Sequence, residues 1–312
     1  MNLKIMTKFI VFLLASLAFL TVLAARQWPD DNLHLIFCDV GQGDAILITQ
    51  GFWQMLVDGG PDDSVMTCLN ENVPFWDRRL EQLVITHGDK DHIGGLNKLL
   101  ELYQVKNVWL SDNKSGQTYQ KLLSSLDNEQ EQGMRAQLPF LGSTIGLDSG
   151  LKIMSLWPQE LSSRGDECLP NAKLHHFTET ILSDEIVSEI GSVEDSNARS
   201  IVLLLQYNQF KALLMGDAPK EIELALLEQN LIQDIDALKI GHHGAKTSTS
   251  TLLLKHSRPE ISIVSCGRNN QFNHPSLEVI DQLHAAGSKI VRTDRQGEIE
   301  LVTDGKKYWL QD

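Results

Sequence analysis

Residues Thr86–Gly95, THGDKDHIGG, decide how the rest of the chain is interpreted. They follow the apolar run Leu83–Ile85, which is typical of a short buried strand. Two glycines and an amphipathic segment with Leu96 and Leu99 come next, and this pattern predicts a turn into a helix. Imidazole and carboxylate ligands together suit Zn²⁺, Mn²⁺ or Fe²⁺; the alternative is a solvated turn whose histidines are there by chance. The four metal-competent side chains in this loop are His87, Asp89, Asp91 and His92.

The composition is that of a folded globular protein. With 312 residues, 42% of them hydrophobic, the chain fits one large α/β domain or two small ones. The net charge of −14 argues against a broad basic surface that holds nucleic acid. It does not exclude a metal site that binds phosphate, because bound cations can dominate the local electrostatics.

The four cysteines are not spaced as a zinc site. Cys38 and Cys266 lie in apolar, strand-like runs and are expected to behave as small buried hydrophobes. Cys68 and Cys168 lie in looser segments, and they could pair if the protein is exported.

The first 25 residues form a separate segment. Lys4 and Lys8 precede the almost wholly apolar run Phe9–Ala25, and Val22–Ala24 offers a small-residue cleavage site. At about 17 residues the apolar run is near the lower limit for a membrane span. Residues 1–25 are therefore either a signal peptide or a membrane anchor. Both alternatives place the folded part, residues 26–312, outside the cytoplasm, in the periplasm or the extracellular space.

Further polar residues follow predicted strands in the same manner as the first loop. Because strands that end together at one rim of an α/β fold build sites there, we expect these residues to converge. Asp217 follows a buried strand and a glycine in this manner; the alternative to a place in the site is the N-cap of a helix over Glu221–Gln229. The residues concerned are Asp44 after His34–Asp39, Asp58 after Trp53–Val57, Asp217 after Ala212–Met215, His242 and His243 after Asp236–Ile240, and His274 after Ile261–Ser265.

The remaining pattern continues this alternation of strands and helices. The polar stretch Asp127–Gln132 is predicted to be a surface loop, and 158–196 an insertion or long loop in which His175 and His176 are surface residues. Helices are predicted over Tyr119–Leu126 and Ser276–Ala286, and strands over Val105–Leu110, Ser143–Ile145, Leu151–Trp157, Ile201–Leu205, Lys289–Arg292, Glu298–Val302 and Tyr308–Leu310.

The motif His-x-Asp-x-Asp-His-x-Gly-Gly resembles the signature of the metallo-β-lactamase superfamily, in which the second position is more often His. Its Asp variant, together with DVGQGD at 39–44, resembles the C-terminal hydrolase domain of the ComEC competence proteins. VDGG at 57–60, His-His-Gly at 242–244 and the Asn-rich loop ending in His274-Pro275 extend the resemblance over roughly residues 33–303. It implies an α/β fold, the metallo-β-lactamase-like αββα four-layer sandwich.

The resemblance also implies two divalent metal ions, Zn²⁺ or Mn²⁺. The first ion would be held by His87 and Asp89, and Asn197 either faces it or caps a turn. Asn197 and Ser200 precede a strand where other members of the superfamily place a metal-binding His. Asp58 would brace the loop. The second ion would be held by Asp91, His92 and His242, with Asp217 bridging the two.

The expected chemistry is hydrolysis by a hydroxide formed from water between the ions. Asp91 would be essential to it, and His243 or His274 would protonate the leaving group. Asp44, Lys246 and Ser248 are further candidates for contact with metal or substrate.

The expected activity is that of a phosphodiesterase, and most specifically of a nuclease acting on single-stranded DNA. The ComEC-like domain is thought to degrade the strand that is not imported. ComEC proteins also carry a membrane channel that these 312 residues do not contain, so a role in DNA uptake does not follow. The alternatives are a hydrolase of small substrates, of the phosphocholine esterase, lactonase or β-lactamase type, and a binding protein with a structural metal clip.

Overall fold

The computed structural model describes residues 3–111, 116–159 and 196–311. Its strands are β1 (Leu33–Phe37), β2 (Ile46–Gln50), β3 (Trp53–Val57), β4 (Arg79–Leu80), β5 (Gln82–Ile85), β6 (Gln104–Val105), β7 (Asn107–Leu110), β8 (Arg135–Gln137), β9 (Thr144–Gly146), β10 (Leu151–Trp157), β11 (Val202–Tyr207), β12 (Phe210–Leu214), β13 (Ala237–Lys239), β14 (Ile261–Val264), β15 (Lys289–Arg292), β16 (Ile299–Thr303) and β17 (Tyr308–Leu310).

The helices lie between these strands in sequence. They are α1 (Leu3–Arg26), α2 (Val65–Asn72), α3 (Lys90–Ile93), α4 (Leu96–Leu102), α5 (Gln117–Glu131), α6 (Lys220–Glu228), α7 (Thr251–Ser257), α8 (Leu277–Ala285) and α9 (Thr293–Gln296). Two 3₁₀ turns cover Ser196–Arg199 and Gly241–Gly244.

Two mixed sheets form the centre of the described molecule. One has the order β17-β16-β1-β2-β3-β5-β7-β8 and the other β15-β14-β13-β12-β11-β10-β9, while β4 and β6 pair separately. Strands β3, β5 and β7 are parallel, as are β12, β13 and β14. The carboxyl ends of these parallel strands therefore meet at one rim, as expected.

Alternating side chains explain why each sheet is covered on both faces. Leu35 and Phe37 of β1 pack between the sheets with Leu203 and Leu205 of β11. Ile36 points to the opposite face and joins the apolar cluster that includes helix residues. A third cluster covers the outer face of the second sheet with α6, α7 and α8. These three apolar layers confirm the αββα sandwich.

Three local expectations are wrong or incomplete. Helix α5 continues to Glu131 through the predicted surface loop Asp127–Gln132, because Glu and Gln favour helices and the buried stripe of Tyr119, Leu122, Leu123 and Leu126 fixes the helix. The sequence pattern does not predict the short strands β4 and β8. The third expectation concerns the cysteines.

Cys38 and Cys68 form a disulfide, with their Cα atoms 5.7 Å apart. The pairing of Cys68 with Cys168 is therefore wrong, and Cys38 is not a free thiol. Packing of α2 on the end of β1 brings the two sulfurs together, which spacing alone did not indicate. Cys266 is free and buried, as expected. Cys168, His175, His176 and most of 158–196 lie outside the described residues.

Helix α1 contains a segment, Met6–Ala25, with a mean hydropathy of 2.3 and no buried part. It is long and apolar enough to cross a membrane. A signal sequence near the N-terminus has the same properties, so both alternatives for residues 1–25 stay open.

Candidate metal centre

Four of the histidines that the sequence predicts for the site converge on Asp217. Its Oδ2 atom lies 3.3 Å from Nε2 of His92, 3.5 Å from that of His243, 3.8 Å from that of His242 and 3.9 Å from that of His87. Asp217 is buried, and helix α6 begins three residues later with Pro219 at its N-cap. The side chain therefore faces the four imidazoles instead of capping the helix.

The two carboxylates of the loop Thr86–Gly95, which we call the metal loop, have different histidine neighbours. Asp89 Oδ2 lies 3.7 Å from His87 Nε2 and accepts a hydrogen bond of 2.8 Å from Ser196 Oγ. Asp91 Oδ2 lies 3.5 Å from His243 Nε2. The loop thus offers one His and Asp pair, His87 with Asp89, and a second group around Asp91.

Asp58 fixes the metal loop through three hydrogen bonds. Its carboxylate accepts hydrogen bonds of 2.8 Å from the Thr86 amide, 2.6 Å from the Thr86 hydroxyl and 2.8 Å from His92 Nδ1. Asp58 has a positive φ of 60°, a conformation that non-glycine residues adopt at some cost. The donation from His92 Nδ1 leaves its Nε2 atom as the acceptor directed at Asp217.

The two adjacent histidines occupy a strained turn. His242 and His243 both lie in the left-handed region, with φ of 48° and 52°. His243 is buried and donates from Nδ1 to the Ser265 carbonyl at 3.0 Å, which directs Nε2 into the site. His242 is partly exposed, and its Nδ1 lies 3.4 Å from Thr247 Oγ1. Both rings thus reach Asp217, although adjacent side chains usually diverge.

Asp44 lies in the same cluster but has a partner that sequence reasoning missed. Lys239, fully buried at the end of β13, forms an ion pair with Asp44 Oδ2. The other oxygen, Oδ1, lies 3.7 Å from His243 Nδ1. A single lysine inside the apolar strand predicted over Asp236–Ile240 was the available signal, because a buried ammonium requires a counter-charge.

The loop that contains Asp44 packs closely against the metal loop. A Cβ atom on Gly43 would lie 2.1 Å from the carbonyl oxygen of Asp91, so only glycine fits. The Asp44 amide donates to that same carbonyl at 3.2 Å. Gln42 accepts a hydrogen bond of 3.2 Å from the Gly267 amide, which links this loop to the loop after β14.

His274 lies at the outer edge of the site. Its ring centroid is 5.7 Å from that of His242 and 5.8 Å from that of Phe272, with which it is stacked. Asn270 fixes the loop by accepting from the His274 amide at 2.9 Å and donating to the His274 carbonyl. The loop therefore presents an imidazole and an exposed aromatic ring side by side.

The three remaining candidates lie around the centre. Ser248 is buried and donates to the Gly241 carbonyl at 2.7 Å, so its hydroxyl stabilises the His242–His243 turn. Lys246 is exposed on the loop that follows this turn. Asn197 lies in the 3₁₀ turn beside Ser200, whose hydroxyl accepts from the Asp217 amide at 3.1 Å.

The electrostatics of the cluster favour bound cations. Burial acts to raise the pKa of Asp91, but the hydrogen bond and charge of His243 and the charge of His92 outweigh it and lower the pKa to about 2. Burial acts against a charged His92 and His243, yet Asp217 and further carboxylates raise the pKa of both rings. The carboxylates therefore give this cluster a negative electrostatic potential, which favours protonated rings or bound cations.

The donor atoms present in this region fit a metal ion. Asp44, His92, Asp217 and His243 each offer one ligand atom, and these atoms lie within 4.8 Å of one another. Buried atoms that have no hydrogen-bond partner among the described residues include Nε2 of His87, His92 and His243 and Oδ1 of Asp217. Buried polar atoms are rarely left in this condition unless they bind a ligand. The Nε2 and carboxylate oxygen atoms are the donors that Zn²⁺ and Mn²⁺ accept.

Comparison with known proteins agrees with this geometry. Residues 38–268 match the model of the metallo-beta-lactamase superfamily. The chain belongs to this superfamily. The matched segment begins just before the Asp44 loop and ends just after Gly267, so it contains every described residue that lines the centre except those of the His274 loop.

The relatives are competence proteins of the ComEC type. The chain is 28% identical over 287 residues to "Recombination protein 2" of Haemophilus influenzae, covering 90% of this chain and 30% of that protein. It is 27% identical over 288 residues to "ComE operon protein 3" of Bacillus subtilis, covering 84% of this chain and 32% of that protein. The chain thus spans about a third of the length of these relatives.

A solved structure shares the fold at low sequence identity. The CmlA beta-hydroxylase E377D mutant aligns with a TM-score of 0.50 and 13% identity, covering 88% of this chain and 54% of that chain. At this identity the likeness concerns the fold alone.

Proposed function

We propose that this protein is a phosphodiesterase that uses two divalent metal ions, Zn²⁺ or Mn²⁺, to cleave DNA. The observation that carries the proposal is the position of Asp217, which lies within 3.9 Å of the Nε2 atoms of four histidines. A carboxylate with two oxygens in that position can be shared by two cations.

The ligand groups follow from the contacts on either side of Asp217. His87 and Asp89 would hold the first ion, and Asp91 and His92 the second. We assign the remaining ligand of the second ion to His243, where the sequence favoured His242, because His243 Nε2 lies 3.5 Å from both Asp91 and Asp217. His242, which is partly exposed, then faces the first ion or the substrate.

The ions would supply Lewis acidity and an activated water. The residues of the chain orient the metal ligands and supply a proton. Asp58 fixes the ring of His92, and Ser265 fixes that of His243, so both present Nε2 to the centre. His274 is the proton donor for the leaving group. Burial and the neighbouring His242 lower its pKa, and a bound phosphodiester anion would raise the pKa again.

DNA is favoured as the substrate by the loop beside the centre. Phe272 is exposed and stacked on His274, which gives a base a platform next to the reacting phosphate. The exposed Lys246 offers a charge for the backbone. The names of the relatives, a recombination protein and competence proteins, agree with a nucleic acid substrate.

A hydrolase of small substrates is the second candidate. The net charge of −14 favours it, since a chain with so many acidic residues attracts DNA only through the ions and a few local groups. An exported location, in the periplasm or outside the cell with α1 as signal or anchor, suits both candidates.

The test is cleavage of end-labelled single-stranded DNA with added Mn²⁺. We expect activity in the unaltered protein and a loss of more than about 100-fold in Asp91→Ala. The matched control is Asp63→Ala, an exposed carboxylate outside the centre. Equal activity in Asp91→Ala and the unaltered protein would overturn the proposal. Turnover of a lactone, a β-lactam or phosphocholine without any DNA cleavage would favour the second candidate.

A further inference from the structure

Four exposed aromatic side chains gather at the end of the first sheet that is opposite the metal centre. They are Trp28, Phe52, Phe75 and Trp76, with exposed fractions of 66%, 40%, 48% and 40%, and we call them the aromatic collar. In the described residues beyond α1, the other exposed aromatic side chains of this kind are Phe272 and Trp309. The collar thus holds most of the exposed aromatic surface of the described domain.

The collar is arranged as two ring pairs. Trp28 and Phe52 meet edge to face with their ring centroids 5.3 Å apart, and Phe75 and Trp76 do so at 4.8 Å. Ring contacts of this kind fix the direction in which exposed aromatic side chains point. The four rings come from three separate segments of the chain.

Both pairs are tied to the end of the apolar helix α1. Gln27, the residue after α1, accepts a hydrogen bond of 3.1 Å from the Phe75 amide through its side-chain oxygen. Asp30 accepts one of 3.0 Å from the Gly51 amide, next to Phe52. A cavity of about 260 Å³ lies between these segments and is lined by Trp28, Gly51 and Pro74. The collar therefore surrounds the point where α1 meets the domain.

Strand directions place the collar away from the metal centre. Trp28 precedes β1, Phe52 lies in the turn before β3, and Phe75 and Trp76 precede β5. Asp58 and His87 follow the carboxyl ends of β3 and β5. A strand of five residues such as β1 or β3 spans about 17 Å, so the two ends of the sheet lie roughly this far apart.

We propose that the aromatic collar rests in the headgroup region of a lipid bilayer, with the metal centre directed away from the membrane. Trp side chains concentrate at this depth because their large apolar ring also carries a polar N–H group, and Phe side chains add apolar area that faces the acyl chains. Helix α1 is apolar and long enough to cross the bilayer, no part of its Met6–Ala25 segment is buried, and it ends beside the collar. A bilayer that α1 crosses would therefore lie directly against the collar.

The experiment uses the full chain in lipid nanodiscs that contain lipids with a nitroxide high on the acyl chain. Tryptophan fluorescence is compared between the unaltered protein, Trp76→Phe and Phe272→Trp. Both positions are exposed, Trp76 by 40% and Phe272 by 53%, and only Trp76 belongs to the collar, whereas Phe272 is stacked on His274 beside the metal centre. Trp76 follows Phe75, which is 48 positions from Gln27, so its fluorescence reports the surface of the domain and not helix α1.

We expect lipid quenching to be weaker in Trp76→Phe than in the unaltered protein. Phe272→Trp adds a fluorophore beside the metal centre that lipids should leave unquenched. Equal lipid quenching in Trp76→Phe and the unaltered protein would overturn the proposal. Quenching of Trp76 by neither lipid nor a water-soluble quencher would also overturn it, because another protein surface would then cover the collar. Strong lipid quenching at position 272 would overturn the orientation.

Discussion

Lys239 donates a hydrogen bond to Asp44, a residue 195 positions earlier in the chain, and both side chains are buried. The same ammonium donates to the Gly216 carbonyl at 3.2 Å, directly before Asp217. One lysine of the second sheet therefore connects the loop after β1 with the loop that positions Asp217. This pair links the two halves of the sandwich at the floor of the metal centre.

Lys239→Met should destabilise the protein by about 3–5 kcal/mol, because it leaves the Asp44 carboxylate buried without a counter-charge. Combining it with Asp44→Asn removes that charge and should restore much of the loss. Urea denaturation measures both free energies of unfolding. Lys98→Met, which breaks an exposed pair with Glu101, is the control and should change little. A double variant no more stable than Lys239→Met would contradict a buried ion pair.

His243→Asn should remove one bound metal ion at micromolar total metal. Losing a direct ligand should lower the metal affinity by more than the roughly 10–100-fold that is typical when a hydrogen-bond partner of a ligand is lost. Asn is suitable because it tolerates the positive φ that both histidines adopt. His242→Asn should keep the second ion and lower turnover instead. Metal content by plasma mass spectrometry separates the two, and loss of the ion in His242→Asn alone would return the assignment to His242.

The pattern of the sequence predicted the strands that carry the site, because each ligand motif directly follows an apolar run. The sequence favoured His242 over His243 as the ligand of the second ion, but the directions of the two rings depend on two left-handed residues and on the Ser265 carbonyl in the loop after β14. It also missed the Cys38–Cys68 disulfide, which depends on how α2 packs on β1. Contacts between distant segments are set by packing, and local periodicity does not encode them.

The polar end of α5 shows the opposite error. Residues 127–132 have no apolar member, which suggested a loop. The buried residues Leu122, Leu123 and Leu126 fix the helix, and good helix formers extend it for one more turn. Helix propensity and the buried stripe thus outweigh the polar composition of these residues.

Phe272→Ala should weaken oligonucleotide binding by about 1–3 kcal/mol through the loss of base stacking. The expected signature is a higher KM for single-stranded DNA and an unchanged kcat/KM for a small diester such as bis(nitrophenyl) phosphate. Phe272→Trp keeps an aromatic ring and should keep the KM for DNA. An equal loss on both substrates would show that the ring merely supports His274.

Stability should depend on the protonation of His34, far from the metal centre. Burial acts to lower its pKa, but contacts with Glu300 at 2.6 Å and Asp30 at 2.8 Å raise it above the ordinary value. A raised pKa in the folded state stabilises the protein below the unfolded pKa, and this contribution is lost as pH rises through the folded pKa.

His34→Gln should therefore lower the free energy of unfolding by about 1 kcal/mol near pH 5.5 and by less near pH 9. The loss stays this small because Asp30 is partly exposed, so solvent screens its charge. Thermal melts at the two pH values measure the difference. His256→Gln, an exposed histidine, is the control. A cost that is larger at high pH would contradict the assignment.

Electron paramagnetic resonance of the Mn²⁺-loaded protein tests the shared carboxylate most directly. The account predicts two Mn²⁺ per chain with a spin-coupled spectrum, and loss of the coupling in Asp217→Ala. One ion per chain, two uncoupled ions, or a metal content and coupling in Asp217→Ala that equal those of the unaltered protein would contradict it.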